Sequence, residues 1–174
     1  IYWSDYYNSI ISPFYSYSTG RTKETLRSSQ VTCRDIDDDG YIEIPEDTSS
    51  KKQSSEITSQ NWVNYGNTVL SHKCYSFSCK RDGYILVIDD DDFSKVKANY
   101  DSESRKLTII NKKNKSNVFE IVTLINSNYS VNDPKYKDYT MIMKNSGFVY
   151  LAKVNKSSDI DINIQTLKDM IKVY

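Results

Sequence analysis

One histidine, three cysteines and no surplus of either charge leave this sequence little of the commonest catalytic and ligand chemistry. Lysine and arginine number 23, aspartate and glutamate also 23, for a formal net charge of +0. A nucleic-acid binder would carry a basic excess or stripe, so that partner class is excluded. The same balance offers no general attraction to an anionic membrane. No apolar run approaches the roughly 20 residues that cross a bilayer as a helix. His72, Cys33, Cys74 and Cys79 make a poor zinc set, because the CxxC and HxxxH spacings are missing. There is no G-x-S-x-G elbow, no phosphate loop and no dinucleotide fingerprint. The chain opens at Ile1 without the charged and apolar regions of a signal peptide, and "IYWSDYYNSIISPFY" reads like the middle of a fold. A fragment of a longer protein is the expectation.

What is present is a β-rich pattern. The 174 residues are 38% hydrophobic and 26% charged, enough for a packed core in one ordinary domain, and 15 tyrosines are an unusual number. Short runs of β-branched and aromatic residues predict strands over 31–34, 41–44, 67–75, 83–88, 95–100, 106–111, 118–125, 139–144 and 148–154. The segments "DSESR", "NKKNKSN" and "KNSG" between them are turn chemistry, and such spacing means an antiparallel meander. "DINIQTLKDMIKVY" predicts a C-terminal helix, capped by Asn163, with Ile164, Leu167, Met170 and Ile171 on one face. Shorter helical turns are expected in "DDDDFSKV" and at Pro134. The polar, serine-rich stretch 46–60 reads as a linker. The expected fold is therefore α+β: an antiparallel sheet of about six to seven strands with the C-terminal helix packed on it. A β-rich N-terminal segment, residues 1–58, would precede the sheet domain, residues 59–174.

The one local pattern with a mechanism is "CRDIDDDGYIEIPED". Counting from Asp35, aspartates fall at positions one, three and five (Asp35, Asp37, Asp39), Gly40 at six, Ile42 at eight, Glu43 at nine and Glu46 at twelve. This fits the calcium-loop pattern D-x-[DN]-x-[DN]-G-x5-E. Calcium takes six to eight oxygens, and alternate residues of a tight loop aim carboxylates at one centre. The carbonyl of Tyr41 would add a ligand, and Ile42 would serve as an apolar anchor. The strand-like flanks and Pro45 point to a strand-loop-strand site closed by Glu43, with Glu46 outside it. The alternative is a metal-free acidic turn whose aspartates cap backbone amides.

Other features have plainer readings. Asp89 to Asp92 lacks the glycine and the alternation, and reads as a solvated strand end rather than a cation site. His72 and Cys74 lie two apart on a predicted strand, hence on one face, so a thiol hydrolase is one alternative. Trp3, Trp62 and the tyrosines are another, as a carbohydrate- or peptidoglycan-binding surface, although aromatics in β-rich proteins are more often core. If "CYSFSC" is a hairpin tip, Cys74 and Cys79 face each other at disulfide distance; otherwise they are separate thiols, and Cys33 is left over either way.

The stretch "ISPFYSYSTGRTKETLRSSQVTCRDIDDDGYIEIP" resembles a segment of uncharacterised surface lipoproteins from clostridial-type Gram-positive bacteria, in which the loop reads D-I-N-G-D-G-x-I-E-I-P. Asp35, Ile36, Asp37, Asp39, Gly40, Ile42, Glu43, Ile44 and Pro45 match that pattern, and Asp38 stands where glycine is usual. The loop is similar to those of calcium-binding propeller repeats. The order that follows (Trp62, "KRDGYILVIDDDDFSKVKANYDSESRKLTI", a hairpin, a helix) is similar to secreted PsbP-like α+β domains. The resemblance implies an extracytoplasmic domain, lipid-anchored in the full-length protein, with structural calcium, an unknown cell-surface partner and a binding or scaffolding role rather than catalysis.

Overall fold

A computed structural model describes residues 2–4, 9–16, 21–25, 31–48, 56–66, 69–130, 133–155 and 158–173; up to residue 25, and at 65–66 and 69–70, it describes backbone alone. Strands β1 (Tyr2–Ser4), β2 (Ser9–Ser16) and β3 (Arg21–Thr25) form a three-stranded antiparallel sheet. The strands that follow are β4 (Ile44–Asp47), β5 (Ile57–Gly66), β6 (Val69–Cys79) and β7 (Tyr84–Ile88). A single helical turn, α1 (Asp90–Phe93), precedes β8 (Val96–Asp101), β9 (Lys106–Asn111) and β10 (Asn117–Ile125). Then come β11 (Thr140–Lys144), β12 (Phe148–Val154), helix α2 (Ile164–Met170) and β13 (Ile171–Val173). One five-stranded sheet has the order β13-β7-β6-β5-β4 and the other β11-β12-β10-β9-β8, both antiparallel.

The expected α+β fold, one sheet of six to seven strands under a helix, is therefore corrected to a β-rich fold of two five-stranded sheets. The physical reason lies in β7. Its residues Tyr84, Leu86 and Ile88 enter the main core, while Ile85 faces a second apolar cluster with Val31, Ile36 and Trp62. A strand apolar on both faces needs cover on both sides. Helix α2 has seven residues and buries only Leu167 outright, so it cannot supply a layer. The second sheet does, through Leu107, Ile109, Phe119, Ile121, Tyr150 and Ala152 in the same core cluster.

The C-terminal helix is also shorter than its pattern. Asn163 caps it, accepting from the Thr166 amide at 2.9 Å. The chain leaves helical geometry at Ile171, and residues 171–173 pair with Leu86, Ile85 and Tyr84 as an edge strand. Ile171 is still buried, by sheet pairing instead of by a helix face.

The expected linker over 46–60 contains the second half of β4 and the start of β5, strands that are hydrogen bonded to each other from Ile44↔Val63 to Asp47↔Gln60; residues 49–55 lie outside the described residues. The pairing thus runs across the expected boundary at 58/59. The polarity of β5 misleads because its polar groups are satisfied inside the sheet. Ser78 and Ser76 donate to Gln60 Oε1 at 2.6 and 3.3 Å, and Trp62 Nε1 donates to Ser76 Oγ at 2.8 Å. Pro45 sits in the edge strand β4, where a missing amide costs least.

The turn between β6 and β7 builds a buried polar node. Asp82 is fully buried, and its carboxylate accepts from Arg105 Nε at 2.7 Å and Tyr100 Oη at 2.8 Å, with the Cys79 thiol at 3.5 Å. Tyr150 Oη, from the other sheet, donates to the Asp82 carbonyl at 2.8 Å. The Arg105 guanidinium lies 4.7 Å above the Phe148 ring. Burial pushes the Cys79 thiol up to about 12 and raises the Tyr100 hydroxyl well above its ordinary value, helped by its bond to Asp82. Both stay protonated near neutrality and act as donors.

Candidate metal centre

The acidic loop is not framed by two strands as expected over 31–34 and 41–44. One isolated bridge, Arg34↔Glu43, closes its base, with the Arg34 and Glu43 amides donating to each other's carbonyls at 3.2 and 2.9 Å. Val31 and Ile36 anchor it, both completely buried against Trp62 and Ile85 on the outer face of the sheet. Ile42 was the expected anchor and is 61% exposed; Tyr41 beside it is 66% exposed. The anchor is position two of the loop rather than position eight, because Ile36 lies over the sheet and Ile42 leads away from it.

Above that anchor the chain coils tightly. Asp35 accepts from the Asp39 and Gly40 amides at 3.0 and 2.8 Å, and Asp39 from the Tyr41 amide at 2.9 Å. Asp38 has φ 61° and Gly40 φ 88°. Left-handed geometry suits glycine, and aspartate is among the few side chains that tolerate it.

The coil brings one carboxylate oxygen from each of Asp35, Asp37, Asp39 and Glu43 within 4.8 Å of the others, a set able to hold a metal ion. Glu43 is fully buried. Its Oε2 accepts from the Ile36 amide at 3.0 Å, while Oε1 is buried with no hydrogen-bond partner among the described residues. Burial raises the Glu43 carboxyl above its ordinary range, and the charges of Asp37, Asp39 and Asp35 add to that. An unpaired buried carboxylate oxygen beside three other carboxylates is a costly arrangement. A divalent cation would relieve both the missing partner and the like-charge repulsion, so these residues fit a hard, oxygen-seeking metal. Glu46 stands apart on β4, accepting from Asn61 Nδ2 at 3.3 Å.

No family model matches this chain, and no curated protein or solved structure matches it.

Two lysines from distant sequence reach the loop, and sequence reasoning had assigned neither a role. Lys73 Nζ lies 2.5 Å from Asp39 Oδ2 and 3.2 Å from Asp37 Oδ2. Lys172, on β13, lies 2.6 Å from Asp38 Oδ2. These hydrogen bonds hold the Asp39 and Asp38 carboxyls below their ordinary range. Arg34 Nη1 donates to the Val173 carbonyl at 2.9 Å, a second tie between the loop and β13. Lys73 arrives through a register shift: Trp62 pairs with Cys74 and Val63 with His72, which leaves Lys73 as an extra residue in β6. A bulge of this kind re-aims side chains and breaks the alternation of faces.

The same bulge separates His72 from Cys74. Cys74 packs on the Trp62 side, and burial pushes its thiol up to about 12. His72 goes to the other face, 4.5 Å from the Tyr75 ring, which stacks on Phe93 at 4.3 Å. Its Nε2 meets the Asp90 carboxylate at 2.8 Å and its Nδ1 meets Asn61 Oδ1, so both ring nitrogens are engaged away from the thiol. The thiol-imidazole pair expected from i, i+2 spacing does not assemble. Cys74 and Cys79 both lie within β6 and face different clusters, so "CYSFSC" is not a hairpin tip, and all three cysteines are thiols. Trp62 is wholly buried and offers no sugar platform, and the Trp3 side chain lies outside the described residues.

Beside the loop runs an open groove of about 830 Å3, floored by Ile36, Val87 and Ile162 and rimmed by Asp37, Asp161, Asp169 and the run 89–92. Asp89 caps the α1 turn, accepting from the Asp91 amide at 3.0 Å, and Asp92 pairs with Lys95 at 2.9 Å. The run therefore has the local structural uses expected of it. The balanced net charge conceals a local concentration of acid on this side of the sheet.

Proposed function

We propose that this chain is a non-catalytic extracytoplasmic module with a binding or scaffolding role, whose loop 35–43 holds a structural calcium ion through Asp35, Asp37, Asp39 and Glu43, with the Tyr41 carbonyl as a further ligand. The observation that carries the metal is Glu43 Oε1, buried without a partner beside three other carboxylates. The location rests on the likeness of the loop to those of surface lipoproteins. A site outside the cell needs little affinity, because extracellular calcium modules work at about 10⁻⁴–10⁻³ M. The ion would pin residues 35–43 over Trp62 and Ile85 and, through Lys172 and Arg34, steady β13.

Thermal unfolding of the whole chain in calcium and in chelator tests this reading. Calcium at a hundred times its dissociation constant adds about 2.7 kcal/mol to the folded state. For a chain of this size that is a rise of roughly 5–10 °C. An identical melting temperature in chelator and in about 10–100 mM calcium, a hundred times that range of dissociation constants, removes the calcium assignment.

A further inference from the structure

Two lysines of the described residues touch the acidic loop, and they are not equivalent. Lys172 touches Asp38, which is outside the four-carboxylate set, and so leaves that set open. Lys73 touches Asp37 and Asp39, two of its four members. The Lys73 side chain is 27% exposed. It reaches them because β6 carries one extra residue there; in regular pairing His72 and Cys74 would share one face and Lys73 would take the other. Glu43 Oε1 stays unpartnered all the same. One monovalent ammonium therefore satisfies part of a site that contains four acidic side chains.

The geometry points to Lys73 as a resident cation in the calcium site: calcium enters only by displacing its ammonium from Asp37 and Asp39, and this exchange sets the affinity of the loop. The inference rests on the calcium reading above. Two physical facts support the exchange. An ammonium 2.5 Å from a ligand oxygen stands where a metal ion would bond at about 2.3–2.6 Å. Ammonium and calcium also repel one another at such range, so simultaneous occupancy of the same oxygens is excluded. Calcium offers the better fit, since it can coordinate Asp35 and Glu43 as well as the two carboxylates that Lys73 reaches. Lys73 holds the calcium-free loop together and lowers its affinity for the ion, which keeps the site weak and responsive to calcium at the concentrations found outside cells.

The test is calcium titration by calorimetry of the whole chain, comparing the wild type with Lys73→Met and Lys73→Gln. Both variants remove the charge and keep an extended side chain one atom shorter than lysine. The expected result is calcium affinity at least tenfold tighter in both, with a calcium-free melting temperature lower than wild type. A second measurement covers a variant that does not fold: amine labelling of Lys73 in the wild type, read by mass spectrometry, increases when calcium is added, while labelling of the exposed Lys97 does not. Wild-type binding with unchanged or weaker affinity in the folded variants, or with no change in Lys73 labelling, overturns the exchange and leaves the calcium site standing. No calcium binding by the wild type or by any variant overturns the site itself.

Discussion

Asp82, between β6 and β7, and Glu43, just ahead of β4, are both fully buried carboxylates beside strands of one sheet, and they have been treated in opposite ways. Asp82 accepts from Arg105, Tyr100 and the Cys79 thiol, and its backbone carbonyl takes a further bond from Tyr150. Every partner is a donor held by the packing of two sheets. Glu43 has one amide donor, an oxygen with none, and three aspartates for neighbours. A carboxylate whose bonds are all made inside the fold is part of the scaffold. One that is buried, crowded by like charge and short of a partner is waiting for something the chain does not contain. The contrast separates structure from site more cleanly than a count of acidic residues does. By that measure the Asp89 to Asp92 run, exposed and used in capping and in a lysine pair, belongs with neither.

Substitutions should sharpen this contrast in a definite order. The largest effect is expected from Asp82→Ala. It strands the Arg105 guanidinium and removes the acceptor shared by Tyr100 and Cys79, a loss of about 3–5 kcal/mol. Chemical denaturation measures it, and a loss below 1 kcal/mol would show that the node is not a keystone. Next comes Glu43→Gln. With a neutral amide in place of a crowded charge, the calcium-free protein should keep its stability to within about 1 kcal/mol. The rise in melting temperature with calcium should vanish. A variant that melts much lower in chelator, yet still responds to calcium, would make Glu43 a scaffold residue like Asp82 and erase the distinction. The smallest effect belongs to His72→Ala. It deletes an ion pair whose side chains are 32% and 52% exposed, worth less than about 1 kcal/mol. Calcium affinity should be untouched, because His72 lies on the far side of the bulge. A changed calcium titration curve would mean that the two faces of β6 communicate.

Much of the acidic loop could be read from sequence because its logic is local. Aspartates at alternate positions before Gly40 converge whatever surrounds them. What could not be read depends on partners far along the chain. The "KRDG" turn looks like any solvated turn, and only Tyr100, Arg105 and Tyr150 make Asp82 a buried node. Lys73 in "SHKCY" looks like an outward lysine on a regular strand; the bulge that turns it to the loop is a property of its pairing with Trp62 and Val63. Ile171 continues the helical spacing of Ile164 and Leu167 faithfully, yet the open edge of β7 draws it into a strand. The polar start of β5 passed for a linker because Ser59 and Gln60, both buried, find their partners in Thr48, just past β4, and in Ser78 on β6. Division of the strands into two sheets followed from β7 being apolar on both faces, a signal present in "YILVI" but silent about what would cover each side.

The ties from the loop to β13 have a consequence for how the chain folds. Arg34 bonds to Val173 across 139 positions, and Lys172 to Asp38 across 134. Contacts so distant in sequence form late, after the intervening strands have brought their ends together. During synthesis the loop therefore emerges 134 positions ahead of Lys172 and waits without that tie until β13 has been made. An acidic segment left open in this way stays soluble and resists premature pairing. Removing residues 171–173 should leave the two sheets recognisable and the loop without its closing strand, a difference that amide hydrogen exchange at Ile36 and Gly40 would report.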